Sequence, residues 1–361
     1  MQDFSGKIIT VNGPIDPNDV GITSAHEHLF LDIRKNHLPP NEDNLTVAEI
    51  KIWESPVNLD NLHLARDMAP IRDNYLLNDK KLALKELSEF SKFGGKTIID
   101  VTSNGLKGDP VALKEISEIL KVNIVKGCGW YQKVFYPSDM NKRTVKDLTN
   151  EIISDISVGY KDTGIKSGII GEIGLNGNPL LPEEINSAKA AAIASNITGA
   201  AISLHPPVLI EEKHKILDII SSEGTELNRV VLGHSNHLAE DFASQNHLAE
   251  DFASLMSFFE RDIYIAFDTL GVVRSIASNN PDAIVANSIP KIIKEGYLDK
   301  ILLAQDVCWK THLKAYGGAG YSFILEKFLP HLKKLGLSER DINTIMIDNP
   351  KKILTFNKPN K

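Results

Sequence analysis

Short apolar runs recur along this chain, each followed by a longer stretch with helical spacing of its apolar positions. The runs fall at 20–24, 97–101, 123–127, 168–173, 200–204, 229–232, 263–267 and 300–304. Between them, 79–93, 109–120, 144–157, 182–195, 210–221, a segment within 238–260, and 281–294 repeat at the helical period, and two closing helices are expected over 323–335 and 339–344. Runs without polar alternation, bounded by helices, read as parallel strands buried on both faces. Eight strand–helix units predict an α/β fold of the (β/α)8 barrel type, as one domain over 1–361, rather than a doubly wound sheet. Ahead of it, the Asn12-Gly13-Pro14 turn predicts a β-hairpin extension within 1–19.

Two stretches break the rhythm. Residues 36–70 are rich in Asn, Pro and charge without clear periodicity, which predicts a long functional or unstructured excursion. Residues 236–245, NHLAEDFASQ, are followed at once by NHLAEDFASL, a tandem copy of ten residues. A single copy is too few for a solenoid. It is expected to lengthen a helix or bulge outward, away from the chemistry.

Composition narrows the classes of function. The net charge of -7 leaves no basic surplus for nucleic acid, although a local cationic pocket for a small anion stays compatible. Two cysteines, Cys128 and Cys308, fit a reducing compartment better than a disulfide framework. No basic leader precedes an apolar segment, and no apolar run approaches the roughly 20 residues of a membrane helix. A cytoplasmic protein with no membrane partner is expected.

The chemistry gathers at the ends of the apolar runs. His26 and His28 follow the first, Glu172 ends the fourth, His205 and His234 follow the fifth and sixth, and Asp306 lies just past the eighth. In a barrel all these ends meet at one rim, where such folds keep their active sites. Each residue alone has a plain structural reading, as rim hydrogen-bonder, salt-bridge partner or helix cap. Coincidence at five separate strand ends is a poor account of the set. Four imidazoles and two carboxylates suit zinc, with manganese or cobalt as alternatives, better than calcium or magnesium. Six ligands exceed one tetrahedral site and predict two divalent ions with a bridging carboxylate. The other histidines, His37, His63, His214, His237, His247, His312 and His331, read as surface residues.

With GKIITVNGPIDPNDVGITSAHEHL at the start, then GIIGEIG, the His205 and Gly233-His234-Ser235 segments, AFDTLG and the closing IDNPKKIL, the chain resembles the phosphotriesterase-like family of the amidohydrolase superfamily, which includes lactonases. The resemblance runs over essentially the whole chain. It implies that His26, His28 and Asp306 bind the more buried ion, that His205 and His234 bind the more exposed one, and that a group of the fourth strand bridges them. Many members use a carboxylated lysine there; GIIGEIG favours Glu172 instead, because Lys166 falls at the wrong end of the strand. The gap from His234 to Asp268 exceeds the family spacing by about the length of the duplicated block.

The resemblance also implies a reaction. Two ions sharing a water lower its pKa from about 15.7 towards 7, and Asp306 would move the proton. Tyr131 matches a tyrosine facing the exposed ion in the family's lactonases. Arg274 lies where members that open sugar lactone phosphates are expected to grip phosphate, and Lys310 and Lys314, with Tyr316, lie in the loop after the eighth run and could add charge. The expected activity is therefore a metal-dependent lactonase acting on a small phosphorylated sugar lactone, with a homodimer left open. A phosphotriesterase or another ester or amide hydrolase could use the same centre. A catalytically silent metal-binding protein is the third reading, against which an intact Asp306 argues.

Overall fold

Eight parallel strands form one sheet in the computed structural model, which describes residues 3–38, 44–243, 250–272 and 281–359. In chain order they are β1 (Thr23–Glu27), β2 (Thr97–Asp100), β3 (Asn123–Cys128), β4 (Ile169–Gly174), β5 (Ile202–His205), β6 (Val230–Leu232), β7 (Tyr264–Phe267) and β8 (Ile301–Leu303). Spatial order equals chain order, and every ladder is parallel. The expected barrel is present. Its first strand starts later than the apolar run, because Gly21 has φ +59 and so cannot continue extended backbone. His26 therefore stands within β1, not beyond it.

Alternation along the strands separates two cores. Ala25, Ile99, Val101, Val125, Ile169, Ala201, Val231, Ala266, Leu302 and Ala304 fill the barrel interior as one cluster. Their neighbours in sequence, among them Ile170, Ile202, Leu204, Leu232, Ile265, Phe267 and Leu303, face outward against the helices. Burying each Leu, Ile or Phe stabilises the fold by about 1.5–3 kcal/mol.

Helix Lys80–Lys92 shows how the sequence sets an element. Asp79 caps it by accepting from the N–H groups of Lys81 and Leu82. Ala83, Leu87 and Phe90 recur at helical spacing on its buried face, and Gly94, at φ +89, ends it.

The hairpin Ile8–Thr10 with Gly13–Ile15 forms as expected. Its Ile8 joins Val20, Ile353 and Leu354 in the interior cluster, closing the end of the barrel opposite the site. The excursion is not structureless: it carries helices Val47–Trp53 and Leu62–Arg66. It is tied across the rim to the loop after β8, where Arg66 donates to the carbonyls of Tyr316 and Gly317, and Asp73 pairs with Lys310. The helix expected within 238–260 is seen as Asn236–Ala243 and Glu250–Phe259, and residues 244–249 lie outside the described ones. No helix among the described residues is long and apolar enough to cross a membrane.

Candidate metal centre

The strand ends bring the six candidate residues together. Ligand-type atoms of His26, His28 and Asp306 lie within 4.8 Å of one another, and so do those of His26, Glu172 and His234. His28 Nε2 stands 3.3 Å from Asp306 Oδ1 and 3.6 Å from Glu172 Oε1. Glu172 Oε2 is 3.2 Å from His234 Nε2 and 3.1 Å from His205 Nδ1. Glu172 thus sits between the two groups, at the place of a bridging carboxylate. Lys166, at the opposite end of β4, points away and donates to the carbonyl of Val158.

Each imidazole is turned by a partner on its far side. Asp268 Oδ2 is 3.1 Å from His26 Nδ1, and its Oδ1 is 3.2 Å from His234 Nδ1. Thr102 Oγ1 lies 2.9 Å from His28 Nδ1. Three Nε2 atoms therefore face the centre. His205 is reversed: its Nε2 meets the Gln132 amide at 2.9 Å, and Nδ1 faces Glu172. Such outward partners fix the tautomer that leaves the inward nitrogen free to ligate. His26 Nε2 is buried and has no hydrogen-bond partner among the described residues. A buried, partnerless nitrogen among carboxylates and imidazoles fits a divalent ion of the zinc type.

Two of the six have left-handed backbone, His234 at φ +48 and Asp306 at φ +49. Such conformations cost roughly 1–3 kcal/mol and persist only where the surroundings over-determine them. At His234 the constraint is visible, since its N–H donates to both oxygens of Asp268 at 2.9 Å.

Charge is balanced within the cluster. Burial alone would raise Glu172, but His26, His205 and His234 hold it well below the usual carboxylate range. Burial likewise opposes the shift of Asp306, which His28, His26 and His234 lower. Burial would depress His28, but Asp306 and Glu172 push it up to about 10. His26 and His234 are raised for the same reason, against burial, by Glu172 and Asp268. His205 alone is lowered, by burial and the neighbouring His234.

A pH effect follows. His28, pushed up to about 10, is protonated near neutrality without metal and must lose a proton to ligate, and His26 and His234 shift in the same direction. Zinc uptake at pH 7 is expected to release protons and to strengthen as pH rises from 6 towards 9. Titration calorimetry in two buffers of different ionisation enthalpy measures the count, and a value of zero would contradict this charge state.

The remaining candidates are placed differently. The Tyr131 hydroxyl lies 3.3 Å from His205 Nδ1, with its ring edge-on to that imidazole. Burial pushes its pKa well above the ordinary value, with Glu172 and Asp306 adding to the effect. Lys310 is largely buried and pairs with Asp73 at 2.5 Å, which commits its charge to the excursion. Lys314 pairs with Glu326 at 2.7 Å. Arg274 and His247 lie outside the described residues.

Three sequence expectations need correction. His312 is not a plain surface residue: it packs behind Asp306, its Nδ1 3.2 Å from that carbonyl and 3.3 Å from Cys308 N. His37 stacks on Tyr75 at 3.6 Å, half-buried, and burial lowers its pKa to about 4. The duplicated block is also nearer the chemistry than expected. Asn236, its first residue, accepts from the N–H groups of Asp268 and Thr269 and so fixes the carboxylate behind two of the histidines.

The chain matches the model of the Phosphotriesterase family over residues 6–354. It belongs to that family. An N-acetyltaurine hydrolase of Dictyostelium discoideum is 33% identical over 99% of this chain and 100% of its own length. Among solved structures, a resiniferatoxin-binding protein from Rhodobacter sphaeroides shares 33% identity at a TM-score of 0.87, covering 97% of this chain and 95% of that one. A lactonase from Listeria monocytogenes shares the fold at a TM-score of 0.76, with 22% identity over 98% of this chain and 100% of its own. This phosphotriesterase-family chain is thus a hydrolase by descent, and what the centre hydrolyses is a separate question.

Proposed function

We propose that the protein is a metal-dependent amide hydrolase that splits small N-acyl amines carrying an anionic group. The observation that carries this reading is the full-length likeness to N-acetyltaurine hydrolases, joined to the cluster of His26, His28, Glu172, His205, His234 and Asp306. In this reading His26, His28 and Asp306 would hold one divalent ion, His205 and His234 would hold a second, and Glu172 would be available to either. Zinc suits the donor set. When bound, the ions supply Lewis acidity and make water a nucleophile near neutral pH.

The chain's own residues then handle position and protons. Asp306, held ionised by its imidazole neighbours, accepts the proton of the attacking water and returns it to the departing amine nitrogen. An amide needs that second transfer more than a lactone does, because an amine anion is the poorer leaving group. Tyr131 keeps its proton and can donate a hydrogen bond to the substrate beside His205. The lactone alternative keeps the same steps, but its phosphate contact rested on Arg274 and Lys310, and Lys310 is spent on Asp73.

The test is a panel of N-acetyltaurine, N-acetylated amino acids and lactones with and without phosphate, offered to zinc- or manganese-loaded enzyme. Release of free amine from N-acetylated anions, lost on chelation and restored by metal, is the expected result. Faster opening of phosphorylated lactones than of any amide would overturn the amide assignment.

A further inference from the structure

The sheet has a seam, and the candidate centre straddles it. Ladders join each strand to the next from β1 to β8, but among the described residues none joins β8 back to β1. His26 and His28 stand on one side of that gap and Asp306 on the other. Besides the bond from Asp306 N to the His26 carbonyl at 3.2 Å and the bond from the Tyr321 hydroxyl to the His28 carbonyl at 2.7 Å, the crossing here is made by the side chain of Glu27.

Glu27 lies between the two histidines in sequence, so strand alternation turns it away from the face that they share. It is 0% exposed. Its Oε2 accepts the N–H of Val307 at 2.9 Å, and its Oε1 accepts the N–H of Gln305 at 3.0 Å and the hydroxyl of Ser24 at 2.6 Å. The two amides belong to the residues immediately before and after Asp306. One carboxylate thus grips both flanks of a residue whose own backbone is left-handed.

We propose that Glu27 is the positioning residue for Asp306: a carboxylate clamp that replaces the missing ladder and sets the Asp306 oxygen against His26 and His28. The inference rests on the metal-centre reading above. It carries an asymmetry, because the hydrogen bonds of the clamp go to Ser24 and to the two neighbours of Asp306, and none goes to His205 or His234. Releasing it should therefore loosen one ion and spare the other.

The experiment uses the full chain reconstituted with zinc, with each ion's affinity read by competition against a chromophoric chelator. Glu27→Gln keeps the shape but places a donor where an acceptor is required, so one clamp bond is lost. The expected result is a two-phase titration in which one ion binds about 10–100-fold more weakly and the other is unchanged, the range seen when a ligand's supporting group is removed. A general loss of packing would weaken both ions together. Ser24→Ala, which removes only the hydroxyl bond to Oε1, should give a smaller loss at the same ion and stands in if Glu27→Gln does not fold. Wild-type affinity for both ions in Glu27→Gln, or in Ser24→Ala should that be the only folded variant, overturns the clamp. Wild-type protein that retains no zinc instead sinks the metal-centre reading, so the two failures are told apart.

Discussion

Replacing Asp306 by asparagine is expected to lower kcat by about 10²–10⁴-fold, the range that a positioned acid–base group contributes, with a far smaller change in KM. Of the two candidate carboxylates it is the accessible one, its side chain 16% exposed against 2% for Glu172. Three imidazoles keep it ionised, which is the state that a base needs before the first proton transfer. Asparagine preserves the size and one oxygen facing His28, so metal content should fall much less than turnover. Steady-state kinetics beside metal analysis of the same sample separates the two. Retention of about a tenth of wild-type turnover with both ions bound would remove Asp306 from the proton path.

The barrel and the gathering of the six candidate residues were legible because both depend on local pattern. Apolar runs at regular intervals predict parallel strands, and a polar residue at the end of a run predicts a rim side chain. What pattern does not encode is depth behind the rim. Asp268 closes the seventh run just as Asp306 follows the eighth, yet Asp268 reaches the outer nitrogens of His26 and His234 and no inner one. Only the fold decides between a ligand and a partner of ligands. Glu27 was hidden for a different reason: its partners are backbone amides 278 and 280 residues along the chain, which leave no mark in side-chain identity. Lys310 failed in the opposite direction. Its charge was plain in the sequence, but the excursion supplies Asp73 to neutralise it, and the order of residues does not say which loop lies over which.

Asp268 is the residue whose loss should reach both ions at once. Its carboxylate touches one imidazole from each half of the cluster, His26 and His234, and also accepts the strained N–H of His234. Asp268→Ala is expected to weaken each zinc by about 10–100-fold, in contrast to the one-sided loss at Glu27. Metal-free protein offers an independent reading through pH. Burial would raise Asp268, but His234 and His26 hold it well below its ordinary 3.8, so its contribution is present above that value and lost as pH falls through the folded one. The two imidazoles are raised above 6.5, so their contribution is full below that value and fades as pH rises through their folded ones. Both conditions hold together between about pH 4 and 6.5. Thermal unfolding of metal-free wild type and Asp268→Ala should therefore differ most in that window and converge on either side. A constant difference across pH would mean that Asp268 supports the fold by packing alone, and equal zinc affinities in the two proteins would mean that it does not orient the histidines.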